Sequence, residues 1–198
     1  MTEYLWYVAR GSGLVSLLLL TGVVLLGIVH RSGRPLPGLP RFAIGTVHRN
    51  VALLAVVFVG MHILTLLADP YAQLHLINLV VPFTAAYRPL WTGLGAVTLD
   101  LVLALIVTGL LRHRLGQRTF RLLHWLAYLA WPAAVAHGLG SGTDVGQFWL
   151  TGTAIACIAA VGGAVIWRTG ASFSEVARAR VPVPPVVPPP TITTQGPR

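Results

Sequence analysis

The chain has 198 residues, of which 55% are hydrophobic and 10% charged, and its mean hydropathy is +0.75. Ordinary soluble domains carry about a quarter charged residues, so this composition excludes a soluble enzyme, and it excludes a secreted disulfide scaffold or a disordered chain as well. The net charge is +9, but every basic residue is an arginine at the end of an apolar run. That distribution reports membrane topology rather than a nucleic-acid partner.

Met1 to Tyr4 carries no basic stretch, and no small-residue cleavage site follows the first apolar run. A cleaved signal peptide is therefore not expected. Five apolar runs are long enough to cross a hydrocarbon core, which needs about 20 residues. They cover residues 11–29, 42–68, 91–111, 120–138 and 147–167. The expected fold is an all-α integral membrane bundle of about five transmembrane helices, spanning residues 1–168.

The arginines set the direction of each span. Arg31, Arg34, Arg41 and Arg49 follow span one. Arg112, Arg114, Arg118 and Arg121 follow span three. Arg168, Arg178, Arg180 and Arg198 follow span five, and only Arg10 and Arg88 fall on the other side. The positive-inside rule places the N-terminus outside and the C-terminus in the cytoplasm. Spans two and four then run parallel, both from inside to outside.

Between spans two and three, residues 70–89 lie outside. Their stretch from Leu76 to Val81 reads as an interfacial helix or a re-entrant piece. Residues 169–198 read as a cytoplasmic tail, proline-rich and disordered from 181. The single cysteine, Cys157, lies inside span five and reads as a structural thiol.

Seven histidines occur. His30, His75 and His113 stand in loops or at span ends, where they read as interfacial residues. His48 and His62 lie on span two, and His124 and His137 on span four. Ionisable residues inside a membrane are costly and mark functional sites. At about 1.5 Å per residue the fourteen-residue step from His48 to His62 covers about 21 Å, and the thirteen-residue step from His124 to His137 about 19.5 Å. On parallel helices His48 matches His124 in depth, and His62 matches His137. Two pairs of facing imidazoles, one near each leaflet, are what two stacked bis-histidine haems require.

Helical phase agrees on span two, where His62 falls about 40° from His48. Gly45, Ala52 and Ala55 lie near that stripe and leave room for a flat porphyrin. On span four His137 falls about 140° from His124 on an ideal helix, and Pro132 between them offers a kink or rewinding. Three alternatives stay open. One is a single haem on the outer pair, with His48 and His124 interfacial. Another is histidines that only bond between helices. The third is zinc or copper, for which each pair supplies only two ligands. Asp100, the one deeply placed carboxylate, reads equally as a proton relay, a histidine-orienting group or a structural residue.

The sequence resembles the ferric-reductase-like transmembrane domain, the haem b core of ferric reductases, NADPH oxidases and the bacterial haem subunit of the methionine sulfoxide reductase system. The residues that carry the resemblance are Val47-His48-Arg49-Asn50 and Gly60-Met61-His62. With them go His124-Trp125-Leu126-Ala127-Tyr128, then Trp131-Pro132 and His137-Gly138. Tyr87-Arg88-Pro89-Leu90-Trp91, Gly93-Leu94-Gly95 and Asp100 look like the short actinobacterial members.

The resemblance implies haem b with His48, His62, His124 and His137 as axial iron ligands, and electron transfer across a bacterial plasma membrane. It places Arg49 and Arg121 where inner haem propionates lie, and Arg88 near an outer one. No flavin or NAD(P) domain is expected after span five. The chain thus reads as the haem-carrying subunit of an oxidoreductase rather than a complete enzyme. Its donor is then a separate reductase or a quinol, with quinone as a further cofactor. Its acceptor is ferric iron, oxygen or an extracytoplasmic redox partner. The competing functional classes are a proton or solute conduit using the histidines and Asp100, and a scaffold subunit packing against a partner's helices.

Overall fold

The computed structural model describes residues 2–142 and 146–170. The expected tail beyond residue 170 lies outside the described residues. The chain folds into helices α1 (Thr2–Ser32), α2 (Arg41–Ala68), α3 (Leu76–Val80), α4 (Pro89–Leu110), α5 (Arg112–His124), α6 (Ala127–Ser141) and α7 (Phe148–Thr169). Among the described residues four helices are long and apolar enough to cross a membrane: α1, α2, α4 and α7.

The chain reverses between α1 and α2 in a tight turn. Leu36 and Leu39 exchange backbone hydrogen bonds at 3.1 and 2.9 Å across Pro37 and Gly38. Proline fixes the first central position, and Gly38, at φ 73°, supplies the left-handed second one. The turn lays α1 and α2 antiparallel. They pack on each other along their length, and α4 packs on α6 in the same way. α1 also reaches α6 and α7 and so ties the two hairpins together. Trp131 Nε1 donates to Thr21 Oγ1 at 2.9 Å across the α1–α6 contact. The backbones of α2 and α6 do not pack on each other.

The fourth expected span is broken. Its residues divide between the end of α5 and all of α6, joined through Trp125 and Leu126. Their dihedrals (φ −64°, ψ −20° and φ −58°, ψ −22°) are those of a 3₁₀-helix. Tightened i→i+3 bonds run from Trp125 to Leu122, Leu126 to Leu123, Tyr128 to Trp125 and Leu129 to Leu126, all at 3.0–3.1 Å. The break ends six residues before Pro132, which has no N–H to offer the carbonyl of Tyr128.

Outside the spans, α3 is a short helix within the stretch expected to be an interfacial helix or a re-entrant piece. Leu76, Ile77, Val80 and Val81 are exposed on it, while Asn78 is buried and donates to Thr84 Oγ1 at 3.1 Å. α5 carries the arginines that follow span three, and it bends at Gly116, whose φ is 71°. Cys157 is a buried free thiol on α7.

Candidate functional site

The four histidines come together as two pairs. The rings of His48 and His124 are 6.3 Å apart between centroids, and those of His62 and His137 are 6.2 Å apart. α2 and the α5–α6 segment are therefore parallel, and the pairing by depth is a structural fact.

Each imidazole on α2 is held from behind by α1. His62 Nδ1 donates to the Ala9 carbonyl at 2.7 Å, and His48 Nδ1 donates to the Val23 carbonyl at 3.0 Å. Ala9 and Val23 are fourteen residues apart, as are His48 and His62, so one antiparallel register serves both levels. Glycines permit the approach. A Cβ on Gly13 would lie 3.0 Å from the His62 ring, and one on Gly27 would lie 3.4 Å from the His48 ring.

His137 is held by α4 in the same manner. Its Nδ1 donates to the Trp91 carbonyl at 2.8 Å, with Ser141 Oγ at 3.2 Å from the same nitrogen. A Cβ on Gly95 would fall 2.7 Å from its ring. His124 differs. It closes α5, stacks on Phe120 at 5.3 Å, and has no hydrogen-bond partner for its ring among the described residues.

The 3₁₀ stretch explains how His124 and His137 reach one side. A 3₁₀ step turns about 120° against about 100° in an α-helix, so the tightened stretch between Leu122 and Leu129 rotates His137 toward the side of His124. The rewinding lies at Trp125 and Leu126, ahead of Pro132.

Because a carbonyl can only accept, the proton on His48, His62 and His137 sits on Nδ1. Nε2 then keeps its lone pair as a ligand. A metal–imidazole bond is about 2.0–2.1 Å and the ring nitrogen lies about 1.1 Å from the centroid, so two imidazoles on opposite sides of one ion stand about 6.3 Å apart. Both observed separations fit. Among the described residues no group of three or more His, Cys, Asp or Glu side chains is placed to hold a metal. The pairs suit an ion whose other ligands come from a planar ring, and four protein ligands for zinc are not assembled.

The small residues expected beside a porphyrin are placed differently. Gly45 lies against His30 of α1, 3.1 Å from where its Cβ would be, and Ala55 is buried. Both serve helix packing, because the stripe that carries the histidines on α2 also faces α1. Asp100 is exposed on α4 and has no hydrogen bond to any histidine among the described residues, so it does not orient one.

Arg88 donates to the Gly140 carbonyl at 2.6 Å, close to His137 in sequence and space. Arg49 and Arg121 are exposed. Sequence reasoning missed Arg31, which acts electrostatically on His124. Its signal was its position one residue after His30 at the end of the first span. Arg34 over the Trp167 ring at 5.9 Å and Arg168 hydrogen-bonded to Tyr128 complete an arginine-rich end at the His48–His124 level.

The family model for the ferric reductase like transmembrane component matches residues 12–135. The chain belongs to this family. The matched region contains His48, His62 and His124 and stops two residues short of His137. No curated protein and no solved structure shows a significant match to the chain. A ferric-reductase-like component is a multi-pass membrane protein, in keeping with the helices described here.

Proposed function

We propose that the chain carries electrons across a membrane, with b-type haem held between His48 and His124 and between His62 and His137. The observation that carries this reading is the pair of ring separations, 6.3 and 6.2 Å, each fitting one ion between two imidazoles. Six-coordinate bis-histidine iron supplies one-electron relay rather than substrate chemistry, since it has no open position.

The residues of the chain divide the work around it. The carbonyls of Ala9, Val23 and Trp91 fix tautomer and ring orientation and raise the basicity of the ligating nitrogen. α2 makes few backbone contacts with α5 and α6, which is compatible with a flat ring between the imidazoles of each pair. Arg31, Arg49 and Arg121 at one end and Arg88 at the other are the cations to pair with its acidic edges. The arginine-rich end faces the cytoplasm in this reading. Electrons enter there from a separate reductase or a quinol and leave at the opposite face to ferric iron or a redox partner.

Vesicles test this directly. The full chain is reconstituted with ferricyanide trapped inside, and dithionite is added outside. Ferricyanide is expected to bleach only when the chain is present, and to stop bleaching in His62→Leu. Bleaching at the rate of empty vesicles contradicts electron transport. Comparing a quinol with NAD(P)H plus a flavoprotein as reductant then separates the two donors.

A further inference from the structure

Three of the four imidazoles are pinned from behind by a helix carbonyl, at 2.7, 2.8 and 3.0 Å. His124 is not. It is also the only exposed member of the four. It sits as the last residue of α5, immediately before the 3₁₀ break, and its ring is steadied by the stack on Phe120. α5 itself packs against α4 alone among its substantial helix contacts.

A hydrogen bond to the far nitrogen of a ligating histidine holds its ring in place, and losing it weakens metal binding by about 10–100-fold. We propose that His124 is the exchangeable ligand of the molecule. In its absence the His48–His124 level accepts a small added ligand, while the His62–His137 level stays closed. The ligand class is a neutral π-acceptor such as carbon monoxide, or a free imidazole. The inference rests on the haem reading above. It adds that the two levels differ in access, and that the difference lies at the arginine-rich end.

The asymmetry follows from the backbone. α1 offers both α2 histidines a carbonyl because one straight antiparallel register serves both. α4 offers one to His137 only. His124 lies on α5, before the 3₁₀ segment, and among the described residues no carbonyl is presented to its ring.

The experiment uses the full chain in detergent. Bound haem is first counted by its pyridine haemochrome, and the dithionite-reduced protein is then titrated with carbon monoxide. About half of the bound haem should shift to a carbon monoxide spectrum. In Phe120→Ala the rate of that shift should rise about tenfold. In His62→Leu the haem that remains should react fully, and in His48→Leu it should not react.

No reaction with haem fully present overturns the proposal, and so does an equal reaction of all the haem in the wild type. One haem per chain, retained in His48→Leu, overturns it as well, because the inner level is then empty. Failure of the haem reading itself is recognised earlier and separately, as no haem in the first count.

Discussion

The Ala9 carbonyl and the His62 ring meet at 2.7 Å across the α1–α2 interface. Val23 and His48 repeat that contact at 3.0 Å, fourteen residues along both helices. Fourteen residues are two heptads, the repeat that keeps one seam between two left-handedly wound helices. The same seam that packs the hairpin therefore also aims two imidazoles, and α1 acts as the back wall of both levels.

Gly13 on α1 and Gly95 on α4 stand tightly behind the rings they face. Gly95→Ala places a Cβ at 2.7 Å from the His137 ring, and Gly13→Ala places one at 3.0 Å from His62. The haem-to-chain ratio is expected to fall from about two to about one in Gly95→Ala, and less in Gly13→Ala. Gly60→Ala, with nothing within 4 Å, should leave it unchanged. Pyridine haemochrome assays of the three purified variants check this order.

Among the described residues Asp100 is exposed and has no hydrogen bond to a histidine, so Asp100→Leu should retain the full haem content and the wild-type reduced-minus-oxidised spectrum. A carboxylate near the middle of a span opposes insertion by about 2.5–3.5 kcal/mol. The variant should therefore be as stable as the wild type or more so in a thermal melt. Loss of haem in Asp100→Leu is the result that would support a relay joining it to the histidines.

Much of this arrangement is legible in the sequence. The arginines give the direction of the spans, and direction makes the histidines pair by depth. The break at Trp125 and Leu126 is not legible, because neither residue is a helix breaker. It arises nearly two turns ahead of Pro132, whose missing N–H bears on Tyr128 rather than on the break itself. The carbonyls of Ala9, Val23 and Trp91 are invisible as well, since every residue carries one. Gly13 and Gly27 did leave a signal: they repeat the fourteen-residue spacing of His48 and His62 on the neighbouring span. Gly45 and Ala55 match that spacing pattern less well and turn out to serve packing.

The contact between Trp131 and Thr21 joins the two hairpins by one side-chain hydrogen bond at 2.9 Å. Such bonds between membrane helices average about 0.6 kcal/mol and reach about 1.7. Trp131→Phe should lower the midpoint of thermal unfolding by a few degrees and leave the haem spectrum as it is. A melt followed by circular dichroism in detergent reads the first, and an absorbance scan the second.

Gly116 bends α5 with a φ of 71°. Gly116→Ala strains a conformation that L residues rarely adopt, at about 1–3 kcal/mol. The expected effect is a lower melting midpoint with haem bound at both levels, measured on the same two instruments.

The central claim is that the four histidines form two haem sites, and haem counting in single histidine variants tests it most directly. The wild type should bind two haems per chain. His62→Leu or His137→Leu should remove one, and His48→Leu or His124→Leu the other, each leaving a bis-histidine spectrum from the untouched pair. A chain that binds no haem, or one that keeps both haems when a histidine is replaced, contradicts the account.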